Sequence, residues 1–295
     1  MQLEHVKLDM RTRYIPIIGY PMDHSSASYV YNYLFGCRNL NAIMWPLELE
    51  KGRLPEFMAA RNLFGIDKFT LTMPHKADII PLLDRVEESA RLFGSVNVVW
   101  TEEGQAHGCS CDGLGCVSAL TGAGVQLAGR RVMILGAGSI SGILGYEFAR
   151  HGAKEIVLLN RTLKNAQRIA QVLDEHTRVQ ASGRPMEPQA LKEEAARADL
   201  VVQCSALGMH GYGADYEDLE FLDALRPGVP VMEAIVNPPL TSFARRAQAY
   251  GHPVVPGMDM LLGQMGAIFE RWFSIELTQQ EKEGAKRVLR EHFGL

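Results

Sequence analysis

No apolar run in this chain approaches the roughly 20 residues needed to span a bilayer as a helix. An excess of one charge is also missing: 30 lysines and arginines face 34 acids, for a net charge of −4, and no basic block stands out. That balance excludes the electrostatic footprint of nucleic-acid binding and of a membrane-surface anchor, so an anionic ligand needs a local positive site. Cysteine is sparse and odd in number, at Cys37, Cys109, Cys111, Cys116 and Cys204. Such a set excludes a disulfide framework and reads as reduced thiols. His107, Cys109, Cys111 and Cys116 lie close together, but Cys-x-Cys suits a structural zinc site poorly and no second pair matches it. No metal is expected. Residues 1–13 are charged throughout and hold no signal-peptide-like apolar region, so the expected location is cytoplasmic. The three tryptophans carry no signal beyond packing.

What is present is enough apolar residue, 47% of 295, for roughly two domains. Strand-like pieces at 14–18, 42–46, 68–72 and 95–100 alternate with helical stretches at 28–34, 54–63 and 79–93. A glycine-rich stretch, 104–124, precedes a second series. Its strands are 131–135, 155–159, 199–203 and 229–235, with helices opening near Ser139 and over 163–175. Strands alternating with helices predict mostly parallel sheets covered on both faces. Near the C-terminus, 258–273 reads as an apolar helix. Thr278-Gln279-Gln280-Glu281 is a capping-box signature that opens a last amphipathic helix to about residue 292. These helices have no strand of their own and need a sheet to cover.

The apolar strand 131–135 runs into Gly136-Ala137-Gly138-Ser139-Ile140-Ser141-Gly142. Glycines between a strand and a helix allow a tight turn and a close approach of backbone to a pyrophosphate, with a helix N-terminus aimed at its charge. The next strand ends in Asn160-Arg161-Thr162, without the acid that usually takes the adenosine ribose hydroxyls of NAD. Arginine and threonine suit a 2′-phosphate, and Lys164 adds charge. NADP is therefore the expected cofactor, and NAD stays open because Arg161 could instead stack on adenine.

A ketone reductase must also protonate the developing alkoxide, and a lysine beside a carboxylate can do so. Lys76 follows a strand that breaks at Pro74, where an ammonium can be partly desolvated. Asp112 and Asn97 are its candidate companions, since all three can fall at the carboxyl edge of one parallel sheet. Taken singly, Lys76 reads as a solvated lysine after a turn, Asp112 as a helix N-cap and Asn97 as a partner for local backbone.

In this arrangement the sequence resembles the shikimate dehydrogenase family, including its quinate members, over nearly its whole length. Residues 19–25, Gly-Tyr-Pro-Met-Asp-His-Ser, look like the family's G-x-P-x-x-H-S loop. Thr72–Lys76 matches the end of N-V-T-x-P-x-K, Gly94–Asn97 matches G-A-V-N, and Asp112-Gly113 matches T-D-G. Asn160–Thr162 is the N-R-T motif, and Gly257–Gln264 matches G-x-x-M-L-x-x-Q. The resemblance implies two α/β domains. One is a substrate domain, 1–112, to which the helices of 257–295 return, and the other is a Rossmann-like NAD(P)-binding domain, 113–256. It also implies reversible oxidation at C3 of a ring polyol acid, with 3-dehydroshikimate reduced to shikimate in the biosynthetic direction. Lys76 and Asp112 would be catalytic. Ser25 would hold the carboxylate, and Thr72, Asn97 and Gln264 the ring hydroxyls. Gly136, Ala137, Gly138, Ser139, Ile140, Asn160, Arg161, Thr162 and Val236 would hold the cofactor, with Gly257 and Met260 toward its nicotinamide. The expected partner is a small ring carboxylic acid, and a homodimer stays open.

The departures fall in the shell that sets specificity. The second serine of H-S-x-S-P is Ala27, which removes one hydrogen bond to the carboxylate, an effect of about 1.5–3 kcal/mol. The asparagine of N-V-T is Thr70, the threonine before the aspartate is Cys111, and the tyrosine of Y-x-P is Val236. The N-A-T-S-x-G-M loop reads Gln203-Cys204-Ser205-Ala206-Leu207-Gly208-Met209. Two further readings follow: a dehydrogenase of quinate or an aminated ring using NAD, or a non-catalytic sensor of the ring acid.

Overall fold

The computed structural model describes residues 8–22 and 26–294. The chain divides into two compact units: Met1–Cys111 with Met265–Leu295, and Asp112–Gln264. Residues 257–264, assigned to the first domain from sequence, fall in the second unit.

The first unit begins with β1 (Arg13–Gly19), α1 (Ala27–Cys37), β2 (Ala42–Glu48), α2 (Leu54–Ala60), β3 (Lys68–Leu71), β4 (Arg85–Val86), α3 (Glu88–Phe93), β5 (Val98–Glu102) and β6 (Gln105–Cys109). Its sheet has the order β2-β1-β3-β5-β6-β4. β1 runs parallel to β2 and β3, while β5 is antiparallel to both of its neighbours. The turn between β5 and β6 explains the second of these pairings. Glu103 and Gly104 both have positive φ, 49° and 79°, as a two-residue hairpin requires.

The stretch 79–93 is not one helix. It forms a 3-10 turn at Ile80–Leu82, then β4, then α3. Asp84 draws the chain into the sheet: its backbone N–H donates to Ala106 O at 2.9 Å and its carboxylate accepts Ala106 N–H at 2.7 Å. Those bonds replace the helical ones. The helix expected over 54–63 ends as a 3-10 turn, Arg61–Phe64, closed by Gly65 at φ 64°.

The second unit continues with α4 (Asp112–Gly122), β7 (Arg131–Leu135), α5 (Ser139–Arg150), β8 (Glu155–Asn160), α6 (Leu163–His176), β9 (Gln180–Pro185), α7 (Pro188–Arg197), β10 (Leu200–Gln203), β11 (Val231–Glu233), α8 (Ser242–Ala249) and β12 (Val254–Val255). Its six strands are all parallel, in the order β12-β11-β10-β7-β8-β9. The order reverses between β7 and β10, the point at which doubly wound sheets bind ligands. Met133, Leu135, Val157, Val201, Val231 and Phe243 belong to one buried cluster in this unit.

Two helices close the chain, α9 (Gly257–Phe273) and α10 (Gln279–His292). The later part of α9 belongs to the first unit, where Phe269 stacks on Tyr31 of α1 with centroids 6.1 Å apart. α10 opens with the capping box expected at Thr278 and Glu281. It lies so close to α1 that a Cβ on Gly284 would collide with Tyr33. Among the described residues no helix is long and apolar enough to cross a membrane.

Candidate active site

In the first unit the site grows from the end of β3. Thr72 N–H donates to Ile18 O at 2.8 Å, and Thr72 O accepts His75 N–H at 3.0 Å, which folds 73–74 into a turn. His75 is fully buried, with Nε2 2.6 Å from Leu49 O, so the turn is pinned from inside. Lys76 follows, half-buried, and its carbonyl accepts Val96 N–H at 2.8 Å. The lysine backbone is thereby fixed beside Asn97. Asn97 is buried and held at its backbone and at Oδ1. Its N–H donates to Cys109 O (3.0 Å), its carbonyl accepts Leu71 N–H (2.9 Å), and its Oδ1 accepts Cys111 N–H (3.0 Å). The structure thus gathers Lys76, Thr72 and Asn97 at one sheet edge. Gly19 is required there, because a Cβ would strike the Thr72 methyl and come within 2.5 Å of Met22 Sδ.

Ser25 lies outside the described residues. Ala27 opens α1, and Ser26 and Ser28 on either side are both buried. The Thr70 hydroxyl is buried and has no hydrogen-bond partner among the described residues. Cys111 is fully buried, its sulfur 3.8 Å from that of Cys109. The hydrogen bond with Cys111, and then burial, hold the Cys109 thiol well above its ordinary pKa. That shift disfavours a reactive thiolate at Cys109.

In the second unit Asp112 is the first residue of α4, where the helix dipole favours a carboxylate. It is buried and accepts a hydrogen bond from Gln264 Nε2 on α9. Glycines make this approach possible. A Cβ on Gly115 would fall 2.6 Å from Met260 O and 2.8 Å from Gln264 N, and one on Gly263 would fall 2.6 Å from Gly115 O. A Cβ on Gly113 would meet Ile143 O of α5 at 2.9 Å. Gln264, expected to face a ring hydroxyl, here engages Asp112.

The glycine turn after β7 fits a dinucleotide phosphate. Gly136 has φ 107°, and a Cβ there would fall 2.9 Å from Ser205 N. Ala137 is buried behind it, while Ser139 and Ile140 are half-buried. Gly138 is the N-cap of the 12-residue α5; no side chain caps the helix, and a Cβ on Gly138 would meet nothing within 4 Å. The first N–H groups of α5 are therefore open to an anion. At the end of β8, Asn160 Nδ2 donates to Thr162 O at 3.0 Å, and Thr162 is the N-cap of α6 without bonding it through its side chain. Arg161 is exposed and donates from Nη2 to the Tyr212 hydroxyl at 3.1 Å. Gly257 packs on the backbone of Ala234 and Ile235, which sets it beside Val236. Met260 is buried, with its carbonyl toward α4.

Three residues of this region were given no role from the sequence. Gln203 is fully buried at the end of β10. Its Oε1 accepts Ser205 N–H (2.7 Å), Ser205 O–H (2.8 Å) and Tyr216 O–H (3.1 Å), and its Nε2 donates to Ser205 O and Leu207 O. One glutamine thus shapes the loop that lies on Gly136. Tyr216 is the second such residue, and burial raises its phenol pKa above the ordinary value. Glu233, at the end of β11, is the third. Burial pushes its carboxyl up to about 7, against hydrogen bonds from Thr241 and the Ile235 N–H that favour its charge. The available signal was a polar residue closing a strand that is otherwise apolar.

Residues 17–99 match the family model described as shikimate dehydrogenase substrate binding domain, and residues 119–210 match shikimate / quinate 5-dehydrogenase. The shikimate dehydrogenase (NADP(+)) of Alkaliphilus metalliredigens (strain QYMF) is 33% identical over 267 residues, covering 90% of this chain and 93% of that one. The enzyme of the same name from Geobacillus kaustophilus (strain HTA426) is 32% identical over 257 residues, covering 87% and 91%. The structure of shikimate 5-dehydrogenase from Listeria monocytogenes in complex with shikimate and NAD superposes with a TM-score of 0.88 at 25% identity, covering 96% and 98%. Ligand-free 5-ketofructose reductase of Gluconobacter sp. strain CHM43 gives 0.83 at 25% identity, covering 97% and 100%.

Proposed function

Since the chain belongs to the shikimate dehydrogenase family, we propose that it is an NADP-dependent oxidoreductase acting reversibly on shikimate, 3-dehydroshikimate or a closely related ring acid. The observation that carries this reading is the sheet edge of the first unit, where the bond from Val96 N–H to Lys76 O holds the lysine beside Asn97. When bound, NADPH would supply the hydride in reduction and NADP+ would take it in oxidation. Lys76 gives the ring oxygen its proton in reduction and removes it in oxidation. Asp112, oriented by Gln264, is the carboxylate of this acid–base chemistry. Thr72 and Asn97 orient ring hydroxyls, and Ser25 takes part of the carboxylate. The N-terminus of α5 and the glycine turn hold the pyrophosphate, and Arg161 holds the 2′-phosphate. NADP also stands in the names of the relatives that are about one-third identical.

Lys76→Ala should lower kcat by about 10²–10⁴-fold, the usual range for a lost acid–base group, while NADPH affinity changes less than threefold. Stopped-flow turnover and NADPH fluorescence titration measure the two. Wild-type kcat in the variant would sink the assignment.

The unpartnered Thr70 hydroxyl favours a second reading, in which the ring acid differs from shikimate in the substituent that meets this position. Quinate and aminated ring acids are the candidates. A panel of shikimate, quinate and related acids, each with NADP and NAD, separates the two readings. Hydride transfer with any of them removes the non-catalytic alternative.

A further inference from the structure

Tyr212 is an exposed tyrosine in a loop that no motif of the chain includes, yet its position is fixed by main-chain bonds on both sides. Tyr212 N–H donates to Met209 O at 3.1 Å, His210 N–H to Asn237 O at 3.0 Å, and Gly208 N–H to Ala214 O at 2.9 Å. Gly211 and Gly213 flank it with φ of 79° and 75°. The loop delivers the phenol to Arg161, 51 residues away in sequence, whose Nη2 donates to it at 3.1 Å.

We propose that Tyr212 is a positioning and specificity residue of the cofactor's adenosine end, acting through Arg161 to favour a 2′-phosphate over a ribose hydroxyl. The proposal rests on the NADP reading above. Its basis is the donor inventory. The phenol oxygen accepts one guanidinium N–H, and the other guanidinium N–H groups are left to donate to a ligand. Among the described residues no carboxylate pairs with Arg161, so none of them neutralises its charge. The strand end offers no acid that could accept from ribose hydroxyls. A guanidinium held in this way, with no described carboxylate against it, matches a phosphate dianion by charge better than it does a neutral diol. Anchoring one arm of the guanidinium also limits the rotamers that it must lose on binding.

The test is Tyr212→Phe, which keeps the ring and removes the oxygen, compared with Arg161→Ala and the double variant. Binding of 2′,5′-ADP, 5′-AMP, NADPH and NADH is measured by calorimetry or fluorescence. Tyr212→Phe should weaken 2′,5′-ADP and NADPH by about tenfold and NADH by less than twofold, the effect in turnover falling on the KM for NADP rather than on kcat. In the Arg161→Ala background the same change should add less than twofold, because the tyrosine acts through the arginine. Unchanged 2′,5′-ADP binding in Tyr212→Phe overturns the proposal, and so does an equal loss for NADPH and NADH, which marks the loop as packing only. If the wild-type protein binds 2′,5′-ADP no more tightly than 5′-AMP, the NADP reading fails and takes this proposal with it. Selective loss in Arg161→Ala but not in Tyr212→Phe removes Tyr212 and leaves that reading intact.

Discussion

Thr70 hides a hydroxyl in β3 with no protein partner among the described residues. Burying a hydroxyl without a hydrogen bond costs roughly 1–3 kcal/mol, and nearly isosteric valine avoids that cost. Thr70→Val should therefore stabilise the substrate-free protein by about 1 kcal/mol, read as a higher urea midpoint at unchanged slope. If the hydroxyl meets the ring acid, the same variant should raise the KM of the preferred acid about five- to tenfold. A destabilised variant would mean that the hydroxyl is satisfied in solution. Asn97 behaves in the opposite way. Its Oδ1 is committed to Cys111 N–H, so Asn97→Ala should cost about 1–3 kcal/mol of stability as well as activity. Denaturant titration separates the two substitutions by sign.

The first turns of α4 and α9 touch through backbone, and this contact seats Gln264 against Asp112. Gly115→Ala must push α9 away by the width of a methyl group, since neither Met260 O nor Gln264 N can move without its helix. Overpacking of this kind costs about 1–3 kcal/mol. The variant should lower the melting temperature and lower kcat with it, whereas Gly122→Ala, in the same helix with nothing within 4 Å, should do neither. Equal activity in the two variants would show that the α4–α9 contact does not position the acid. The same glycines explain what the sequence concealed. The glycines of 104–124 mark a loop by their composition, yet the stretch contains the second strand of a hairpin and all of α4. Gly113 and Gly115 are there for close helix packing, which depends on residues more than 25 positions away. Lys76, Thr72 and the Gly136 turn were legible because a strand end and the residues just after it are contiguous. The split of 79–93 and the Arg161–Tyr212 pair were not legible, since each is decided by a distant partner, Ala106 in one case and a loop tyrosine in the other.

Across the whole molecule charge is nearly balanced, and most ion pairs lie where water weakens them, as with Arg53 and Glu56, which are both exposed. Glu233 differs because it carries a titratable group into the parallel sheet. Its carboxyl moves from an ordinary 4.5 to about 7, chiefly through burial, with nearby Asp215 adding to the shift. A raised folded pKa means that the native state holds the proton more tightly than the unfolded chain does. The stabilisation from protonation is complete below the unfolded value and is lost as pH climbs from 4.5 through 7. Its ceiling is roughly 3 kcal/mol, at 1.36 kcal/mol per unit. Glu233→Gln keeps both contacts: its Oε1 can accept Ile235 N–H and its Nε2 can donate to Thr241 Oγ1, while the charge is gone. The variant should lie within about 1 kcal/mol of wild type at pH 5 and be more stable at pH 8, by up to about 2–3 kcal/mol. Thermal or urea denaturation at pH 5, 6, 7 and 8 measures this. Parallel stability curves would mean that Glu233 is ionised in the native state throughout this range, and that Thr241 and the Ile235 N–H outweigh its burial.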